Sequence, residues 1–148
     1  MYLLGDWATS SNKFKLPFEN EMCLFNLEGP ILSKIECYRK TIKAGPHLFG
    51  SQLPKINNDF IFTLANNHFM DYGYKGAIDS IDKLKELGYL YCGFGDTVSN
   101  SRKPLIVIEN EIKVGIISVC EAQFGISSLS SPGVCEFGTW VYSEIIKL

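Results

Sequence analysis

Three short apolar runs lie in the first half of the chain, and each is followed at once by polar residues. None of the runs alternates cleanly between apolar and polar positions, which is typical of strands in a sheet that is covered on both faces. The pattern predicts three buried strands with polar side chains just past their ends. The runs are residues 2–4 before Gly5-Asp6, residues 22–27 before Glu28-Gly29-Pro30, and residues 60–65 before Asn66-Asn67-His68.

The clearest helix is predicted over Tyr74–Leu87, where apolar residues recur every three or four positions and charged residues fill the opposite face. Gly88 supplies the C-terminal stop of this helix. A strand over 89–92 follows directly, and the order strand, helix, strand predicts a parallel crossover. Shorter helices are expected over 51–58 and 139–148.

The turn Glu109-Asn110-Glu111 separates two further apolar runs, residues 105–108 and 112–120, and predicts an antiparallel hairpin. Parallel and antiparallel pairing together indicate an α/β fold with a mixed β-sheet covered by helices. The chain has 148 residues, of which 46% are hydrophobic and 20% are charged. This is an ordinary globular composition, and a single domain over 1–148 is predicted.

Charge and hydropathy exclude some function classes. The formal net charge is -2 and no run of lysine or arginine occurs, so nucleic acid is not an expected partner. No apolar run approaches the roughly 20 residues that span a bilayer, and no secretory signal precedes the first strand. Taken literally, the chain is cytoplasmic, but a fragment of an exported protein would look the same. The five cysteines never form a C-x-x-C pair, and reduced core cysteines are expected.

The polar residues at the strand ends are the candidate functional residues, because ligands of open α/β sheets collect beyond the carboxyl ends of the strands. Asp6 and Glu28 offer carboxylate oxygens, Asn67 offers an amide oxygen, and His68 offers a ring nitrogen or a proton. This mixture suits Mn, Fe, Zn or Mg better than it suits a structural thiolate zinc site. Each residue also has a purely structural interpretation, as a turn residue or as a cap of the next element.

Three motifs occur in order: Gly5-Asp6, then Asn26-Leu27-Glu28-Gly29-Pro30, then Leu-Ala-Asn-Asn-His-Phe-Met-Asp-Tyr-Gly over 64–73. They closely resemble the opening motifs of the CapA-type bacterial capsule-synthesis proteins. That family is linked to poly-γ-glutamate capsules and belongs to the calcineurin-like metallophosphoesterase superfamily. The similarity spans nearly the whole chain, and Ala-Asn-Asn-His-x-x-Asp-Tyr-Gly is its most specific part.

The resemblance implies a metallophosphoesterase-like four-layer sandwich, incomplete in this chain, with a site that holds one or two divalent metals in a complete protein. Asp6, Glu28 and Asn67 would be the metal ligands, with Glu28 replacing the bridging aspartate of classical phosphoesterases. His68 would polarise or protonate the leaving group.

Three further residues of the same motifs are predicted site residues. Asp71 would either fix the orientation of the His68 imidazole or cap the following helix. Asn26 and Asn66 are the predicted substrate-binding residues. The expected substrate is an anionic small molecule or a capsule-related polymer, and association with the cell surface is expected if the chain is a fragment of an exported family member.

Two departures from the superfamily pattern stand out. Asp6 is followed by Trp7-Ala8, whereas classical members continue with x-His. The chain contains only His47 and His68, and it has no Gly-His-x-His-like segment. His47 is expected to be a surface or packing residue, and the domain is expected to be truncated at its C-terminus.

Three functions follow as hypotheses. The first is a metal-dependent hydrolase of the capsule-synthesis type. The second is a non-catalytic remnant or interaction module with the same fold. The third is a small-molecule binding domain that uses the Gly93-Phe94-Gly95 turn to approach an anion.

Overall fold

The computed structural model describes residues 1–8, 16, 19–34, 47–49, 53, 59–123 and 125–148. A four-stranded sheet, in the order β1-β2-β5-β6, forms the centre of this part of the chain, and all of its pairings are parallel. The elements are β1 (Tyr2–Trp7), β2 (Met22–Leu27), β3 (Ile31–Leu32), β4 (Leu48–Phe49), β5 (Asp59–Thr63), α1 (Gly73–Glu86), β6 (Leu90–Cys92), β7 (Phe94–Gly95), α2 (Val98–Ser101), β8 (Leu105–Glu109), β9 (Ile112–Ile116), β10 (Gly133–Val134) and α3 (Trp140–Lys147).

One face of the parallel sheet packs into an aromatic core. Phe25 and Phe62 stack with ring centroids 6.0 Å apart, and the Trp7 ring meets Phe25 edge-on at 4.8 Å. All three side chains are buried, so this core removes large aromatic surfaces from water. Helix α1 contributes to the same cluster its buried residues Ala77, Ile81 and Leu84.

The other face of the sheet packs against the antiparallel hairpin β8–β9. Ile61 at the centre of the sheet is fully buried and clusters with Val107 and Ile116 of the hairpin. Among the described residues the two strands of the hairpin pair only with each other, so the antiparallel pairing forms a separate two-stranded ladder beside the parallel sheet. The described structure therefore contains both kinds of pairing, as predicted, in separate layers.

Helix α1 is confirmed within one residue of its predicted bounds. Gly88 follows it with a φ of 73°, the left-handed conformation that ends a helix and that glycine adopts without strain. Buried Ser80 fixes the helix to β3, because its Oγ accepts a hydrogen bond from the Ile31 amide at 2.7 Å. The crossover from β5 through α1 to β6 is parallel, as predicted.

The α/β class is confirmed, and so are the hairpin and the last helix. Strand β1 runs on to Trp7 instead of ending at residue 4, so Asp6 lies inside the strand and was wrongly predicted to follow it. Strand β5 ends at Thr63, two residues early. The helix predicted over 51–58 falls outside the described residues, apart from buried Leu53.

No helix in the described part of the chain combines the length and the hydropathy needed to cross a membrane. The single domain over 1–148 stays a prediction.

Candidate functional site

The carboxyl ends of β1 and β2 bring Asp6 and Glu28 together. Asp6 is paired in register with Asn26 of the neighbouring strand, and Glu28 follows the last residue of β2. The Glu28 amide donates to the Trp7 carbonyl at 3.3 Å, which extends the strand pairing by one residue. Gly29 then turns the chain with a φ of 104°. Parallel pairing thus places two carboxylates, distant in sequence, at one edge of the sheet.

Asn26 connects these two carboxylates. Its side-chain amide nitrogen donates to Asp6 Oδ1 at 2.8 Å and to Glu28 Oε2 at 2.6 Å. Since both oxygens contact one nitrogen, the carboxylates lie side by side. Among the described residues no lysine or arginine forms an ion pair with either of them. The site therefore concentrates negative charge that protein cations in the described structure do not neutralise.

Asn66 links this pair to the loop after β5. Its Nδ2 donates to Asn26 Oδ1 at 3.1 Å and to the Leu27 carbonyl at 2.7 Å. Its Oδ1 accepts from the amides of His68 and Phe69 at 3.0 and 2.9 Å. Asn66 is only 8% exposed, so its amide organises the loop from inside. In the described structure the two predicted substrate-binding asparagines hold other site residues in place.

His68 and Asp71 form a hydrogen-bonded pair. His68 Nδ1 lies 2.7 Å from Asp71 Oδ2, and the Asp71 side chain is 4% exposed against 22% for His68. The carboxylate can only accept, so Nδ1 carries the proton and Nε2 is left for another partner. Nε2 lies 3.9 Å from Glu28 Oε1, which is too far for a hydrogen bond but places the imidazole next to the carboxylate pair. Asp71 is not at the N-cap position of helix α1. Tyr72 occupies that position, and its side chain makes no cap hydrogen bond in the described structure.

Asn67 lies apart from the two carboxylates. It is exposed, and no hydrogen bond within the described residues ties its side chain to Asp6 or Glu28. It borders a cleft of about 370 Å³ that Glu121 and Gln123 also line. Gln123 Nε2 donates to Glu121 Oε2.

Glu121 and Gln123, which line this cleft, are not among the predicted site residues. The signal was present, because Glu121 follows an apolar run directly, as Glu28 does.

Ser118 supports the loop from below. Its Oγ accepts a hydrogen bond from the buried Ala65 amide at 3.1 Å. A Cβ at Gly93, where φ is 94°, would lie 2.5 Å from that same Oγ. At Gly95 a Cβ would meet the backbone of α2, with the Ser101 nitrogen at 2.3 Å. Protein atoms therefore occupy the space where a side chain at either position would lie, and close packing accounts for both glycines.

His47 is a packing residue, as expected. Its ring contacts Tyr72 edge-on at 5.4 Å, and its Nδ1 lies 3.1 Å from the Tyr72 hydroxyl.

The described cysteines are free thiols, and those at 23, 92 and 135 are buried. Burial raises the pKa of Cys92 to about 12 and that of Cys135 to about 11. Both stay protonated at neutral pH, as inert core residues do. Cys37 lies outside the described residues.

The donor types at the strand ends suit a hard divalent cation, because two carboxylates lie side by side with an imidazole close by. Their number is less than a complete site requires. Within the described ranges no group of three or more His, Cys, Asp or Glu side chains has the arrangement of a metal site. Asp6 and Glu28 therefore offer neighbouring carboxylate oxygens, with the His68 ring nearby, but they do not form a metal site within the described residues.

The parallel sheet, the hairpin beneath it and the polar cluster at its carboxyl edge define an α/β domain consistent with a metallophosphoesterase-like fold. The family model described as "Bacterial capsule synthesis protein PGA_cap" matches residues 12–137. The chain belongs to this family of bacterial capsule synthesis proteins, as the motifs predicted.

Named relatives agree with the family. The chain is 29% identical to a probable polyglutamine synthesis accessory protein of Mycobacterium tuberculosis, over 94% of this chain and 38% of the relative, in each of two strains. It is 32% identical to the capsule biosynthesis protein CapA of Bacillus anthracis over 42% of this chain and 15% of that protein. The chain thus spans well under half the length of these relatives.

Proposed function

We propose that this domain carries part of a divalent metal-dependent hydrolase site that acts in the production of a capsule or of another acidic cell-surface polymer. The observation that carries the proposal is the linked cluster at the strand ends. One asparagine amide holds the carboxylates of Asp6 and Glu28 together, and the Nε2 atom of an oriented histidine lies 3.9 Å from Glu28. Family membership and the relatives' names support the polymer class.

In this proposal Asp6 and Glu28 hold the metal, and Asn67 stays a predicted ligand that would have to turn towards them. When bound, a divalent metal lowers the pKa of a coordinated water towards neutrality and so makes hydroxide available. Because two carboxylates do not complete a coordination shell, further ligands would come from beyond the described residues. The metal is Mn, Fe, Zn or Mg by donor type.

His68 moves the proton in this proposal. Asp71 accepts the Nδ1 proton and fixes the imidazole plane, so that Nε2 faces the carboxylate cluster. A protonated Nε2 can donate to a leaving group, and a neutral Nε2 can accept a proton. Asp71 is a positioning residue, because it acts through the imidazole. Asn26 and Asn66 keep the cluster together and need not contact substrate themselves.

The test is a Mn²⁺ titration of the purified protein followed by electron paramagnetic resonance. We expect weak binding that Asp6→Asn or Glu28→Gln abolishes. Asp82→Asn, which removes an exposed carboxylate from α1, is the matched control and should bind as the wild type does. His68→Gln should keep the bound Mn²⁺ and lose hydrolysis of a phosphodiester or γ-glutamyl substrate. No binding in the wild type, or equal binding in all variants, would contradict the proposal.

The hydrogen bonding of the cluster favours a second candidate function, a non-catalytic interaction module of the same fold. Asn66 satisfies two backbone amides and a buried carbonyl, and Asn26 satisfies two carboxylates, so each has a structural role without any ligand. On this alternative, Glu28→Gln changes thermal stability but changes neither metal binding nor hydrolysis. Thermal melts of the same variants distinguish the two functions.

A further inference from the structure

Two clefts adjoin at residues 103 and 104. They lie on elements outside the strand-end cluster, which consists of Asp6, Asn26, Glu28, Asn66 and His68. One lies between α2 and α3, has a volume of about 360 Å³, and is bordered by Arg102, Trp140 and Lys147. The other has a similar volume of about 360 Å³ and continues past Tyr91 and Leu105. Lys103 and Pro104 border both clefts. The two adjoining clefts are together termed the track, and two joined clefts suit an extended ligand better than a compact one.

The track is lined by three cationic side chains, Arg102, Lys103 and Lys147, and by one carboxylate, Glu144, although the chain as a whole has a formal charge of -2. Lys103 is exposed and forms no ion pair within the described residues. Lys147 pairs with Glu144 on its own helix at 3.0 Å, and its side chain is 66% exposed. An exposed pair of this kind contributes little, so the Lys147 ammonium can exchange partners at small cost. The track therefore offers two lysines whose charges are available to an anion.

Arg102 sits in the wall of the track in a fixed position. Its Nη2 donates to Glu136 at 3.2 Å, and its guanidinium lies 5.0 Å from the centroid of the Trp140 ring. Trp140 is itself held by a hydrogen bond from Nε1 to the Glu136 carbonyl. Arg102 Nε is buried and has no hydrogen-bond partner among the described residues. Glu136 thus accepts a hydrogen bond from only one of the nitrogens of this guanidinium, which is already held in position.

We propose that this track binds a linear polycarboxylate whose acid groups contact Lys103, Lys147 and Arg102. The choice of polymer rests on the proposed function, whereas the positive charge of the track does not. A chain joined by amides also carries N–H donors, and Glu144, which borders the track, can accept from them. Its methylene groups can pack on Pro104 and on the Trp140 ring. A polyphosphate has only acceptors and would face Glu144 without a partner.

The test measures binding of a short poly-glutamate to the purified 148-residue protein by isothermal titration calorimetry at low salt. We expect measurable binding that weakens as salt is raised, because exposed charges are screened. Lys103→Gln should weaken it about tenfold, the value of one charge-assisted contact. Lys103 makes no ion pair in the described structure, so this variant should fold normally. The combination Lys103→Gln with Lys147→Gln should abolish detectable binding.

Lys85→Gln is the matched control, because it removes an exposed lysine from α1, away from the track. It should bind poly-glutamate as the wild type does. Equal weakening by Lys85→Gln and Lys103→Gln would show a non-specific charge effect and overturn the proposal. Absence of binding in the wild type would overturn it as well. Polyphosphate of equal charge that binds as tightly as poly-glutamate would overturn the assignment to carboxylates.

The variants of the strand-end cluster separate this proposal from the proposed hydrolase function. Asp6→Asn and Glu28→Gln lie outside the track and should leave poly-glutamate binding unchanged while Mn²⁺ binding is lost. Polymer binding in a protein that binds no Mn²⁺ would support the track and contradict the metal site. Mn²⁺ binding without polymer binding would do the reverse.

Discussion

Two adjacent asparagines, Asn66 and Asn67, should respond very differently to the same substitution. The side chain of Asn66 makes four hydrogen bonds, including one to the carbonyl of buried Leu27 and one from the amide of buried Phe69. Asn66→Ala removes all four bonds. The Leu27 carbonyl keeps the hydrogen bond from the Gly29 amide at 2.9 Å, so the other three lost bonds set the cost, at about 1 kcal/mol each. We expect a loss of about 3 kcal/mol in the free energy of unfolding. Asn67→Ala should change it by less than about 0.5 kcal/mol, since that side chain is exposed.

Urea denaturation followed by tryptophan fluorescence measures the difference, because Trp7 is buried in the folded protein and unfolding exposes it. With a slope of about 2 kcal/mol per molar, the midpoint of Asn66→Ala should fall by about 1.5 M and that of Asn67→Ala should stay near the wild type. Asn66→Asp is an informative third variant, because it keeps both acceptor contacts and loses both donor contacts. A cost below about 1 kcal/mol for Asn66→Ala, or equal costs for the two alanine variants, would refute the inference that Asn66 organises the loop.

Three further predictions follow from single positions. Glu111 has a φ of 67° in the two-residue hairpin loop, so Glu111→Gly should raise the free energy of unfolding by about 1 kcal/mol and the melting temperature with it. An unchanged melting temperature would refute backbone strain at this position. Gly93→Ala would place a Cβ 2.5 Å from Ser118 Oγ and should cost at least about 2 kcal/mol in urea denaturation, whereas Gly5→Ala meets open space and should cost less than about 1 kcal/mol; similar costs would refute the clash. Burial raises the pKa of Cys92 to about 12 from an unfolded value of 9.0, so the unfolded thiol ionises first and stability should fall as pH rises above about 9; a wild-type decline no steeper than that of Cys92→Ala would contradict this.

The sequence could predict the strands, helix α1 and the hairpin, because each depends on local hydrophobic spacing and on turn residues such as Gly88 and Asn110. Strand bounds were less accurate. Asp6 belongs to β1 because pairing with β2 extends the strand past Gly5, and a partner strand cannot be read from six residues of local pattern. The sequence likewise does not show that the hairpin packs against one face of the parallel sheet and does not pair with its strands.

The sequence by itself determined the family, through motifs whose residue types and order are local. Only the tertiary structure decided which members of those motifs touch. Asn26 faces two carboxylates and Asn66 faces inwards, while neighbouring Asn67 faces solvent, because one peptide step in a loop reverses the direction of a side chain. The basic track required α2 and α3 to pack together, since Lys103 and Lys147 are far apart along the chain and show no charge pattern there. Contacts between residues that are distant in sequence depend on how the elements pack, so they cannot be predicted from the local spacing of residue types.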